Sequence, residues 1–211
     1  MIQKDHLKGT DIVFYQDDKF FKVNTDTTLL GQYIKDLKGK SVLDIGTNTG
    51  ALLLYAALKG PRSLTGVDVN ERALELASYN LKENGIEAEL YHSDISKFRH
   101  ELFDVIICNP PYHQDEKRKE HLDIAKSKGN MPIDVLFDAY RHLLKDNGTI
   151  YMIYPARSLY DIFRCCEHYR YKIYRMTIVY NKDKEAIRTL LTLKRGITKE
   201  MMIEAPIIIE H

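Results

Sequence analysis

The sequence has no tryptophan and only three cysteines among its 211 residues. Three thiols leave no disulfide framework. Cys108 falls in an expected buried strand, and Cys165-Cys166 are adjacent on an expected helix, pointing in different directions. All three are read as reduced thiols of a cytoplasmic protein. No spacing of cysteine and histidine matches a metal site. No apolar run approaches the roughly 20 residues a membrane span needs. The opening Met1-Ile2-Gln3-Lys4-Asp5-His6 lacks the apolar stretch of a secretory signal. Internal repeats and low-complexity tracts are also missing. Net charge is low, at +1, yet it is unevenly spread. Residues 157–199 hold eleven lysines and arginines against four acids, and the last twelve residues hold three acids. A basic C-terminal portion suits a polyanion, and equally a solvated strand and helix surface.

What is present is alternation. Residues 12–15 and 20–23, around a polar turn at 16–19, read as a short hairpin. Asn24-Thr25-Asp26-Thr27-Thr28 offers helix caps ahead of Leu29-Leu30, Tyr33-Ile34 and Leu37, with Gly39 as the stop. Strands are expected at 41–45, 63–67, 87–91, 103–108 and 148–154. Helices are expected at 51–59, 132–144 and 158–168, and another runs from its cap at Asn70 to Leu81. Residues 114–130 read as a polar loop with a short helix. Two strands at 171–180 and 186–193 close the pattern, joined at Asn181-Lys182-Asp183. This order specifies a doubly wound, mostly parallel α/β sheet with an antiparallel hairpin at its C-terminal end. Residues 1–38 are an N-terminal hairpin and helix extension, and 39–211 form the domain proper, as one structural unit.

Polar residues gather at the expected carboxyl ends of the strands, where open α/β sheets bind ligands. Asp44-x-Gly46-x-x-x-Gly50 follows the first core strand. A dinucleotide site wants G-x-G-x-x-G; here no third glycine fits, and a carboxylate precedes the turn. That suits a zwitterionic amino-acid end better than a pyrophosphate, favouring S-adenosylmethionine over a nicotinamide cofactor. Asp68 ends the second strand, placed to accept from ribose hydroxyls or to cap a helix. Asp94 ends the third, placed to accept from a purine amine or to cap a turn at Ile95-Ser96. Asn109-Pro110-Pro111-Tyr112 ends the fourth. Two prolines hold that chain extended. An amide oxygen and a freed carbonyl can then accept from one planar –NH2 group while Tyr112 stacks on the ring.

These motifs resemble those of class I S-adenosylmethionine-dependent methyltransferases, with a Rossmann-like sheet, and Asn109–Tyr112 is similar to the signature of enzymes acting on planar nitrogens. Tyr15-Gln16, Phe21, Asp26-Thr27-Thr28-Leu29-Leu30, Glu120-His121-Leu122, Pro155-Ala156-Arg157 and Lys184-Glu185-Ala186 resemble segments of bacterial tRNA(Val) adenine-N6 methyltransferases. The resemblance implies that Asp44, Gly46 and Gly50 line the methionine end of the cofactor, Asp68 its ribose and Asp94 its adenine. Thr47, Asn48, Val69 and Ile95 complete that set, and Asp26 closes the pocket from the N-terminal helix. Asn109 and Pro110 hold the target amine, beside Pro111, with Tyr112 stacked on the flipped base. Asn48 departs from the family, standing where many relatives have glycine.

An adenine amine is a weak nucleophile because its lone pair is delocalised. Acceptors at Asn109 and Pro110 localise that pair, so catalysis is positioning and electrostatics. His113 beside the motif is read as a loop histidine, since no base is required. The substrate expected is tRNA, with Lys117, Arg118, Lys119, Arg157, Arg175 and Arg188 as phosphate contacts and a steep salt dependence. No metal or membrane partner is expected. The alternatives are a protein glutamine-N5 methyltransferase, which shares the four-residue signature, and a non-catalytic RNA-binding module on the same fold.

Overall fold

The computed structural model describes residues 2–17, 22–111 and 132–210. Its centre is β3 (Ser41–Ile45), buried along its whole length, as a parallel strand covered on both faces must be. β4 (Ser63–Asp68) and β6 (Phe103–Cys108) flank it in parallel. β5 (Glu89–His92) lies outside β4, and β7 (Leu144–Pro155) outside β6. Beyond β7 come β9 (Ala186–Arg195) and then β8 (Tyr171–Tyr180), each antiparallel to its inner neighbour. The chain thus moves outward from β3 to β5, then returns to β6 on the other side of β3. That reversal opens a crevice at the carboxyl ends of β3 and β6.

Helices α1 (Thr25–Tyr33), α2 (Ala51–Ala57) and α3 (Glu71–Glu83) cover one face of the sheet, and α4 (Ile133–Leu143) and α5 (Leu159–Tyr169) cover the other. The strand period of two divides the core accordingly. Val105 and Ile107 of β6 pack with Leu30, Leu53 and Leu81, whereas Ile106 and Cys108 pack with Leu136, Phe137 and Ile162. The first two helices approach closely because position 31 is glycine: a Cβ there would lie 2.3 Å from the Tyr55 ring. Asn24 and Asn70 cap α1 and α3, each accepting a backbone N–H three residues on.

Four expectations need correction. The strand β2 (Val13–Asp17) pairs with β1 (Ile2–His6), not with residues 20–23. β1 is exposed throughout, so it carries no hydrophobic pattern; it is held by backbone pairing and by the Gln16 amide, which donates to Asp5 Oδ2 at 3.0 Å. Lys22 and Val23 are not in a strand, and residues 18–21 lie outside the described residues. The first helix stops at Tyr33; Ile34 and Leu37 are buried from the following coil, which mimics helical spacing. The third expected strand is shifted to Glu89–His92. Finally, β10 (Met202–Ile203) and β11 (Ile207–Ile208) add to the outer edge of β8 in parallel, too short to be read from pattern. The expected loop at 114–130 lies outside the described residues.

The hairpin is fastened to the rest of the chain by α3. Asn80, fully buried, accepts from the Tyr15 N–H and donates to the Tyr15 carbonyl, each at 2.8 Å. Its Nδ2 also donates to the Thr49 carbonyl at 2.9 Å. One amide therefore acts as a strand neighbour for β2 and braces the turn after β3.

Candidate active site

The turn after β3 uses its two expected glycines differently. Gly46 has φ of 73°, and a Cβ there would meet nothing within 4 Å, so the backbone lies bare toward the crevice. Gly50, at φ of 85°, would press its Cβ to 3.3 Å from that of Ala77, so it allows α3 to pack against the turn. Asn48 has φ of 48°, in the left-handed region that Asn tolerates better than most residues. The glycine expected there in relatives is thus replaced without loss of the turn.

Asp44 is wholly buried. Its Oδ2 accepts from the Thr47 hydroxyl at 2.7 Å, while Oδ1 has no hydrogen-bond partner among the described residues. Burial pushes its carboxyl up to about 7, the Thr47 hydroxyl opposes this, and the charge of Asp68 adds to it. A buried carboxylate oxygen without a donor is costly. A cationic amino group would relieve that cost, so the site fits the aminoacyl end of S-adenosylmethionine.

Asp68 knits the crevice together. Oδ2 accepts from the Asn48 N–H at 2.8 Å and Oδ1 from the Asn70 N–H at 2.9 Å. Its carboxyl is raised by burial, against the pull of those backbone donors. Each oxygen keeps a lone pair for a ribose hydroxyl. Val69 is 63% exposed beside it, an apolar shelf at the rim. Asp94 is exposed, and its Oδ1 accepts from both the backbone and the hydroxyl of Ser96, which lower its carboxyl. The capping reading holds for that oxygen, and Oδ2 has no partner among the described residues. Ile95 is 3% exposed, with its side chain in the core, so only its backbone is available to a ligand.

β3 and β6 pair so that Ile45 lies opposite Cys108, which makes Gly46 and Asn109 the next residues of the two chains at the sheet end. Pro110 is buried and Pro111 exposed. Asn109 Nδ2 donates to Thr27 Oγ1 at 3.3 Å. Thr27 therefore faces Asn109, a contact that sequence spacing misses. Its only signal is its place three residues after the cap Asn24, which turns it toward the crevice. Tyr112 and the basic residues Lys117, Arg118 and Lys119 lie outside the described residues.

Two expected phosphate contacts are otherwise engaged. Arg175 has a side chain 12% exposed, 3.4 Å from Glu204, with its guanidinium 5.2 Å from the Tyr33 ring. Held between Glu204 and the Tyr33 ring, the Arg175 guanidinium is largely withdrawn from solvent. Arg188 Nε donates to both oxygens of Asp26, so the acid expected at the cofactor and the cation expected on RNA hold each other. Arg157 is exposed after β7. Among the described residues, no cluster of His, Cys, Asp and Glu could hold a metal, and no helix is long and apolar enough to cross a membrane.

The family described as the methyltransferase small domain matches residues 13–162. A tRNA1(Val) (adenine(37)-N6)-methyltransferase of Phocaeicola vulgatus is 32% identical over 193 residues, 88% of this chain and 82% of the relative. A Methanocaldococcus jannaschii protein, provisionally named as a protein N5-glutamine methyltransferase, is 37% identical over 114 residues. That match covers 53% of this chain and 58% of the relative. Among solved structures, the T. thermophilus 16S rRNA N2 G1207 methyltransferase, in complex with AdoMet and guanosine, superposes with a TM-score of 0.68 at 20% identity. It covers 92% of this chain and 50% of that one.

Proposed function

The chain belongs to the methyltransferase small domain family, and from that premise we propose that it methylates N6 of an adenosine in tRNA, beside the anticodon of tRNA(Val), using S-adenosylmethionine. The observation that carries the reading is the pairing of Ile45 with Cys108 at the ends of adjacent strands, which makes Gly46 and Asn109 the next residues of the two chains. It sets the donor turn beside an amide that can hold an amine. The choice of acceptor rests on relatives named for tRNA adenine that match most of this chain, whereas the match to the protein named for glutamine stops at 53% of it. A glutamine amide is the second reading, because an amide –NH2 presents the same two donors to Asn109 and Pro110.

When bound, the cofactor supplies an electrophilic methyl group on a sulfonium. The residues of this chain hold and align. Asp44 Oδ1 receives the amino group, Asp68 the ribose hydroxyls, and Val69 and Asp94 Oδ2 the adenine. Asn109 Oδ1 and the Pro110 carbonyl each accept one proton of the acceptor amine. Holding both protons favours a pyramidal nitrogen, so its lone pair becomes available for attack. The proton lost after transfer passes to solvent. Residues 1–38 serve as a cover carried on 39–211, since Asp26 and Thr27 both reach this crevice. A cytoplasmic setting fits three free, buried cysteines. Transfer of labelled methyl from the donor into total tRNA, with release-factor protein as the rival acceptor, tests the reading. Label in RNA supports it, and label in protein alone replaces it with the second.

A further inference from the structure

The directions of the hydrogen bonds linking Asn24, Thr27 and Asn109 are forced one by one. The Thr27 backbone N–H, which can only donate, gives its proton to Asn24 Oδ1 at 3.0 Å. That atom is therefore an acceptor, so the Thr27 hydroxyl, 3.2 Å from it, must donate as well. A hydroxyl has one proton. With it directed at Asn24, Thr27 Oγ1 can only accept from Asn109, 3.3 Å away, and the atom facing it must be Nδ2. Asn109 Oδ1 is then the atom left without a partner among the described residues.

This matters because an asparagine amide has nearly the same shape either way round. Reversed, it would point –NH2 at another –NH2, and neither could accept. We propose that Thr27 is a positioning residue for methyl transfer: its hydroxyl, itself oriented by Asn24, holds the Asn109 amide with Oδ1 turned to the acceptor amine. The inference rests on reading Asn109 as the amine holder. It explains why the helix carrying Thr27 is tied down one residue earlier, where Asp26 meets Arg188 at 2.9 Å.

Side-chain 15N–1H spectra of the ligand-free protein test it first, with the Asn109 signal assigned from Asn109→Asp. Thr27→Ser keeps the Nδ2 protons at their wild-type positions. Thr27→Val, which lacks the acceptor, shifts them and speeds their exchange with water. An Asn109 signal indifferent to Thr27→Val overturns the proposal. These spectra contain neither donor nor acceptor, so they judge Thr27 even where tRNA is not methylated. Kinetics supply the second arm. Thr27→Val lowers kcat roughly tenfold, the size of one lost neutral hydrogen bond, and leaves the donor KM within about twofold. Thr27→Ser restores at least half the wild-type rate. Equal losses in the two variants, or a loss confined to KM, contradict it.

Discussion

Asp26 and Arg188 meet across 162 residues of sequence, Nε donating to the two carboxylate oxygens at 2.9 and 3.1 Å, with side chains only 9% and 17% exposed. The pair joins the start of α1 to the start of β9 at the carboxyl end of the sheet. It therefore fixes the helix from which Thr27 reaches Asn109.

Removing either partner breaks a charge pair that is almost out of solvent, although Arg188 Nη1 keeps its donation to the Ile187 carbonyl when Asp26 is lost. Asp26→Ala and Arg188→Ala are each expected to destabilise the protein by about 3 kcal/mol, read by thermal or urea unfolding, and to lower methyl transfer with it. The double variant Asp26→Asn, Arg188→Met recovers much of the stability. Were Arg188 instead a phosphate contact, Arg188→Ala would weaken RNA binding and leave unfolding unchanged.

Asn80 should act as the fastening of the N-terminal hairpin. Asn80→Ala leaves the Tyr15 N–H and the Tyr15 and Thr49 carbonyls without that partner. A loss of roughly 2–3 kcal/mol follows from unpaired buried backbone. In hydrogen exchange the Tyr15 amide should open before the β3 amides do, since the partners lost are at Tyr15 of the hairpin and Thr49 of the turn after β3.

Asp44 gives a pH dependence of defined sign. Its carboxyl stands at about 7 in the folded protein, against roughly 3.9 unfolded. The folded state therefore keeps a proton that the unfolded chain releases above about pH 4. The stability this contributes to the ligand-free protein is full below pH 4, falls as pH rises and is lost by pH 7. Donor binding runs the other way, because a cationic amino group needs the carboxylate. Affinity for S-adenosylmethionine should tighten about fivefold from pH 6 to pH 7, below the titration of the donor's own amino group near pH 8. Calorimetry in buffers of different ionisation enthalpy should find close to one proton released at pH 6 and fewer at pH 7. Asp44→Asn should bind weakly and without that slope.

Where side chains face a core, the sequence was legible. The strands 41–45 and 103–108 appear with those bounds because their residues are buried on both faces. The helix of Asn70 begins at its cap because the cap bond is local. Elements whose residues are not buried left no pattern: β1 is exposed along its length, and β10 and β11 have two residues each. The site divides in the same way. The positions of Asp44, Gly46, Asp68 and Asn109 around one crevice are legible because strand ends converge wherever parallel strands do. The ion pairs of Arg175 with Glu204 and of Arg188 with Asp26 are not legible, because charge is visible in a sequence and its burial is not. Thr27 is invisible for a related reason: its partner lies 82 residues away.

In the proposed function Asn109 holds an adenosine amine in tRNA for methylation. Nucleoside mass spectrometry of tRNA(Val), from cells lacking the protein and complemented with wild type or Asn109→Ala, tests it most directly. N6-methyladenosine next to the anticodon should return with wild type and stay absent with Asn109→Ala. The same level of N6-methyladenosine with and without the protein, or full restoration by Asn109→Ala, would contradict the account.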